Sequence, residues 1–400
     1  MGIRDMVLFW VLLVNALLIV NASLRNLPFA YQNEMQRHCS STKYTSLCVQ
    51  NLREFRHGSL QGLDFVSFLV NKTISDSNML IPPLPSSMGS SELVSLEDST
   101  HMLPSPSAVT AAHANGRFII YVKRGVYKEK VRIHNHEITL IGEGKDETVI
   151  VGDDSATGGT SVPDTATMTV TGDGFIARDI GIKNTAGPGG HQAIALSITS
   201  DQSVLYRCSI SGYQDTLYAA ALRQFYRECD IYGTIDFIFG NAAAVFQSCN
   251  IFLRRPHGVK AYNVILANGR TDQRQNTGFA LHSCRIRTDS DLSPVKQRYS
   301  SYLGRPWRKY SRSIVMESYI DDAIAEEGWA GWLDSGDEVL KTLYFGEFKN
   351  YGPKARVSKR VTWEGFHLIG FEDASYFSVG KFLDGVSWLP STGISFTSGI

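Results

Sequence analysis

Leu205-Tyr206-Arg207-Cys208-Ser209-Ile210-Ser211-Gly212 is followed by Phe225-Tyr226-Arg227-Glu228-Cys229-Asp230-Ile231-Tyr232-Gly233 and then by Phe246-Gln247-Ser248-Cys249-Asn250-Ile251. The cysteines at 208, 229 and 249 mark a period of 21 and then 20 residues. A period of that size points to a repeat array, and it is too short for a pair of helices. Apolar and β-branched residues alternate within each copy and glycines punctuate the copies, so one period predicts one coil of strands. The fold class expected is all-β, a right-handed parallel β-helix, preceded by a short α-helical remnant.

The period places two carboxylates. Asp215 lies in Gly212-Tyr213-Gln214-Asp215-Thr216-Leu217, and Asp236 lies 21 residues on in Gly233-Thr234-Ile235-Asp236-Phe237-Ile238-Phe239-Gly240. If one period is one coil, the two stack on neighbouring rungs at roughly the 4.7–4.9 Å spacing of paired strands. Like charges that close resist joint ionisation, so one is expected to hold its proton where the other is charged. An acid beside a nucleophile is a catalytic arrangement. The bland alternative, in which each Asp caps a turn, suits a single Asp better than a stacked pair.

These residues resemble those of the plant pectin methylesterases (pectinesterases). Gly125-Val126-Tyr127-Lys128-Glu129, Gln192-Ala193-Ile194-Ala195-Leu196, Gln214-Asp215-Thr216-Leu217, Asp236-Phe237-Ile238-Phe239-Gly240 and Leu303-Gly304-Arg305-Pro306-Trp307 are five motifs in the family's order. The resemblance implies a carboxylic ester hydrolase that removes methyl esters from cell-wall homogalacturonan. It implies Asp236 as nucleophile, Asp215 as acid and then base, Gln192 and Gln214 as oxyanion donors, and Arg305 as partner of Asp236. It also makes Gln192, Arg305 and Trp307 contacts to substrate. No metal or cofactor is expected: the cysteines lack zinc-site spacing.

Composition agrees with this class. Four hundred residues, 43% hydrophobic and 20% charged with no net charge, can bury a large core and do not make a nucleic-acid-binding surface. Thirty-five glycines and 17 tyrosines suit strands and turns. Arg4, the apolar run 6–20 and Val20-Asn21-Ala22 read as a signal peptide over residues 1–22. The alternative is an uncleaved anchor, but the run falls short of the roughly 20 residues a membrane helix needs, so no stable membrane insertion is expected. The partners expected are pectin and a proteinaceous pectinesterase inhibitor, for a secreted monomer in the cell wall.

Export permits disulfides. Cys208 with Cys229, Cys249 with Cys284 and Cys39 with Cys48 are the pairs expected, with buried free thiols as the alternative. Residues 23–87 resemble a truncated form of the helical inhibitor-like pro-region, with a glycosylation sequon at Asn71-Lys72-Thr73. Residues 88–106 read as a serine-rich linker, and 107–396 as the catalytic β-helix. The Asp-Gly-Ser-Gly turn that normally opens the family's catalytic domain is missing. Only a short helix at 107–114 is expected there, which would leave Phe118–Val122 as an exposed first coil unless residues 88–116 or the C-terminal segment cover it. Where the family has a Thr-Thr pair ahead of Ser-Ala-Thr, this chain has Ser161-Val162 and then Pro163-Asp164-Thr165-Ala166-Thr167.

Two other readings stay open on sequence: a β-helix enzyme that cleaves the pectin chain, because glycosidases also use paired carboxylates, and a secreted pectin-binding β-helix with impaired catalysis.

Overall fold

The computed structural model describes the backbone of residues 92–96 and the residues from 116 to 400, apart from 259 and 333–335. The helical pro-region, the pair Cys39 and Cys48, the sequon and the short helix at 107–114 lie outside the described residues. Two compact units divide at Lys123 and Arg124. In the first, Glu92–Leu96 pairs in parallel with Phe118–Val122, Glu92 opposite Phe118 and Leu96 opposite Val122. This corrects one expectation, since the stretch 88–106 is not only a linker, and of the two alternatives for Phe118–Val122 it favours cover by residues 88–116. Leu93, Val94 and Leu96 supply the short apolar run that a serine-rich composition concealed.

From Arg124 onward the chain is a right-handed parallel β-helix. One coil runs through the strand Ser203–Tyr206, bends at Arg207, continues as Ser209–Ser211, turns a corner over 212–216 and leaves as Leu217–Ala221. The next coil repeats this as Arg223–Arg227, Asp230–Gly233 and Ile238–Gly240. Ser203 pairs with Gln224, Ser209 with Asp230 and Leu217 with Ile238, so the sequence period is the coil. Three parallel sheets result. The sheet of Ser209–Ser211 has eight strands, and the sheet of Leu217–Ala221 has seven.

The core is a set of ladders. Ile150, Ile182, Ile210, Ile231, Ile251, Ile286 and Ile320 stand opposite one another on successive coils, all of them buried. Burying each such side chain contributes about 1.5–3 kcal/mol. Cys208, Cys229, Cys249 and Cys284 form a second buried column, and all four are free thiols. The two disulfides expected among them are therefore absent. In-register positions of a parallel ladder sit a full strand spacing apart with side chains pointing the same way, whereas a disulfide needs its Cβ atoms about 3.5–4.5 Å apart. Cys229 Sγ donates instead to the carbonyl of Leu205 (3.3 Å), and Cys284 Sγ to that of Phe246 (3.1 Å).

The C-terminal segment packs along the helix. Phe377, Phe382, Leu383, Trp388 and Leu389 bury themselves against Val204, Phe225, Val245, Ala280 and Ile314 from successive coils. Thr397 ties the end down, its amide donating to Gln247 (2.8 Å) and its carbonyl accepting from the same side chain (2.9 Å). No helix among the described residues is long and apolar enough to cross a membrane.

Candidate active site

Asp215 and Asp236 occupy the same corner of successive coils, between the last residue of one sheet and the first of the next. Each adopts a left-handed conformation, with φ of 61° and 50°. The corner is tight: a Cβ at Gly233 would lie 2.2 Å from that of Phe237, which accounts for the glycine three residues ahead of Asp236. The Asp215 amide donates to the carbonyl of Ile235 (3.0 Å), locking one corner onto the next. Thr216 Oγ1 closes its own turn on the carbonyl of Tyr213 (3.1 Å).

Arg305 arrives from two coils further on. It follows the strand Ser301–Gly304, and its amide donates to the carbonyl of Leu266 (2.9 Å), itself on the strand paired with Ile238–Gly240. Its guanidinium grips Asp236 with two parallel bonds, Nε to Oδ1 at 2.8 Å and Nη2 to Oδ2 at 2.5 Å. The remaining edge donates from Nη1 to the hydroxyl of Tyr262 (2.7 Å), and the ring of Trp332 lies 4.0 Å from the guanidinium carbon. Asp236, Asp215 and Arg305 are 6%, 9% and 8% exposed, so these charges meet with little water between them.

One guanidinium therefore faces two stacked carboxylates and bonds only one. Burial pushes the Asp215 carboxyl well above its usual range, the Asp236 charge pushes it further, and Arg305 offsets only part of this. Burial also pushes Asp236 up, but the Arg305 fork pulls it back. Both carboxyls are raised, Asp215 further than Asp236, so as pH rises Asp215 is the one that keeps its proton longer.

The glutamines stand beside this pair. Gln192 and Gln214 are opposite each other across a parallel bridge, and Gln214 is the residue before Asp215. Both side chains are half-buried, and neither amide is taken up by another side chain among the described residues. Trp307 forms one wall. Its ring meets Phe239 edge-on at 5.9 Å, Phe239 stacks on Tyr218 at 4.5 Å, and a Cβ at Gly269 would collide with the indole at 2.7 Å. Val162 packs against the same cluster, while Ser161 Oγ donates to Asp164 (2.6 Å). The position where the family usually offers a threonine hydroxyl thus presents a methyl surface instead.

A family model described as Pectinesterase matches residues 93–386. A relative from Arabidopsis thaliana, "Probable pectinesterase/pectinesterase inhibitor 54", is 68% identical over 95% of this chain and 96% of its own length. The chain belongs to the pectinesterase family. Pectinesterase 2 of Citrus sinensis is 50% identical over 73% of this chain and 57% of its own. Beyond the first of these, the chain spans about half the length of the curated relatives it matches, 52–57%. Among solved structures, carrot pectin methylesterase superposes with a TM-score of 0.74 at 41% identity, covering 80% of this chain and all of the carrot enzyme. The Aspergillus niger enzyme superposes at 0.63 with 30% identity, covering 76% of this chain and 96% of its own.

The structure bonds Arg305 to Asp236, sets Asp215 on the adjoining coil, bridges Gln192 to Gln214 beside it, and packs Trp307 on Phe239, three residues from Asp236. Sequence reasoning missed Tyr262 and Trp332. Tyr262 sits in an irregular stretch between coils, where no period or motif marks it. Trp332 lies in the long connection after residue 320, with the same difficulty.

Proposed function

We propose that this pectinesterase works through an aspartyl acyl-enzyme, with Asp236 as nucleophile and Asp215 as its acid and base, on the methyl esters of cell-wall homogalacturonan. The observation that carries this reading is that Arg305 bonds one of the two stacked carboxylates with both arms of its fork and does not bond the other.

Asp236 attacks the ester carbonyl carbon, and the oxygen that gains charge accepts hydrogen bonds from the free amides of Gln192 and Gln214. The C–O bond to methoxide then breaks, and methoxide takes the Asp215 proton and leaves as methanol. Asp215, now a carboxylate, takes a proton from water, and the resulting hydroxide attacks the acyl carbon. Asp236 departs as carboxylate, Asp215 again carries a proton, and the product leaves as the galacturonic acid, which releases its own proton to solvent as the carboxylate forms. Trp307 offers its face to a sugar ring. The same reading includes export directed by residues 1–22, action as a monomer and control by a proteinaceous pectinesterase inhibitor. The name of the Arabidopsis relative, which joins the two activities, supports the last of these.

The test is to incubate the full chain with highly methylated homogalacturonan and to measure methanol and new reducing ends together. Methanol without new reducing ends is the expected result. Chain shortening, or binding to pectin without methanol release, overturns the reading.

A further inference from the structure

A cavity of about 320 Å³ lies between the later coils and the C-terminal helix Phe371–Tyr376, lined by Arg270, Arg312, Tyr344, Asp373, Tyr376 and Phe377. None of its lining residues belongs to the Asp215–Asp236 site, and Tyr310, on the segment that carries Arg305 and Trp307, donates its amide to the Arg270 carbonyl (3.1 Å).

Its two arginines have no carboxylate partner among the described residues. Arg270, 7% exposed, gives its donors to main-chain carbonyls, those of Gln275 (2.9 Å), Gln273 and Tyr310 (3.4 Å), and the nearby Asp272 pairs with Arg274. Arg312 bonds the carbonyl of Thr277 (2.6 Å) through Nε and the side-chain oxygen of Asn276 (3.2 Å) through Nη2, and the Tyr376 hydroxyl, which donates to the same Asn276 oxygen (2.7 Å), is its other neutral neighbour. The rings of Phe377 and Phe382 flank its guanidinium carbon at 5.5 and 5.4 Å. Burial and the neighbouring Arg270 charge hold Arg312 down at about 10, so a charge here lacks a counterion. Buried cations are normally paired, and two that share a cavity attract an anion. The remaining lining narrows the choice. The Tyr344 hydroxyl has no hydrogen-bond partner and Asp373 makes no ion pair among the described residues, so the cavity offers a donor, an acceptor and aromatic faces beside the positive charge.

We propose that this cavity binds a uronic acid residue, its carboxylate on Arg312 and Arg270, its hydroxyls on Asp373 and Tyr344 and its ring against Tyr376. Such a site selects the de-esterified sugar over the neutral ester, because only the former carries the charge that the arginines lack. A bound uronate also bridges the coils to the C-terminal helix and holds the two together. The anion site rests on the lining of the cavity, and the choice of a uronate rests on the proposed substrate.

The test is calorimetric titration of the full chain at neutral pH with D-galacturonate, its neutral amide and inorganic phosphate, with melting temperature followed in parallel. Galacturonate should bind saturably and raise the melting temperature, and the amide should bind at least about tenfold more weakly for want of the charge-assisted bonds. Arg312→Gln should weaken galacturonate at least about tenfold. Tyr344→Phe, which removes one hydroxyl and leaves the packing, should weaken it about threefold while methanol release and the unliganded melting temperature stay unchanged. Absence of galacturonate binding, equal binding of the amide, binding of phosphate alone, or unchanged affinity in Tyr344→Phe overturns the proposal. The titration reads no turnover, so it and the proposed reaction fail separately.

Discussion

Asp215 and Asp236 have the same backbone conformation and the same corner of the coil, and they differ chiefly in which of them Arg305 reaches. That difference gives each substitution a distinct signature. Asp215→Asn should stop turnover, because an amide neither protonates methoxide nor activates water, yet it should raise stability. The folded pKa of Asp215 lies above its usual 3.8, so the unfolded chain ionises first as pH rises, and a cost to the fold grows from about that pH upward. The gain in melting temperature from Asp215→Asn should be present at pH 7 and absent at pH 3; a gain at both, or at neither, contradicts the assignment. Arg305→Lys keeps the charge and loses the planar fork, so kcat should fall about 10- to 100-fold with little change in KM. A matching rise in KM would place Arg305 on substrate carboxylates instead. Tyr262→Phe removes the acceptor on the third edge of Arg305, and kcat should fall about three- to tenfold, with KM and melting temperature unmoved.

At the scale of the element, the sequence showed the strands far better than the bends between them. Isoleucines and cysteines one period apart became in-register ladders because a parallel coil places equivalent positions directly over one another. Glycines punctuate the repeats in the sequence, but Asp179, Arg207, Glu228, Ser248, Ser283, Glu317 and Lys349 take up the left-handed turn in successive coils, φ 47–56°. Their amides donate to the next coil, Arg207 to the carbonyl of Arg227 (3.0 Å) and Glu317 to that of Phe348 (2.8 Å). The stack holds these turns, not local propensity, so single-residue preferences gave no signal. The ladder itself can be tested by Ile231→Ala, which should cost about 2–5 kcal/mol in chemical denaturation because neighbours on both sides prevent collapse of the space. The cysteine column has its own measurement: alkylation of the unfolded, unreduced protein should label Cys208, Cys229, Cys249 and Cys284, and protection of any of them would restore the expected bridges.

For the molecule as a whole, the 21-residue period identified the β-helix, and the five motifs located the site. The start of the domain was harder to read, since Glu92–Leu96 is a strand set in a serine-rich context. The alignment with the Arabidopsis relative spans 492 positions, more than the 400 residues of this chain, so the relative carries internal sequence that this chain lacks. Deleting residues 88–96 removes the parallel partner of Phe118–Val122 and should lower soluble yield; an unchanged yield would show that this pairing is dispensable.

The central claim, that Asp236 is the nucleophile, is tested most directly by methanol release from methylated homogalacturonan by folded Asp236→Ala, set against the unaltered chain at equal concentration. Asp236 contributes a carboxylate to the site and no apolar bulk to the core, so the variant should stay folded and release less than about 1% of the methanol, a loss beyond the two orders of magnitude typical of a missing oxyanion donor. Retention of a tenth or more of the activity in a folded variant would contradict the acyl-enzyme account.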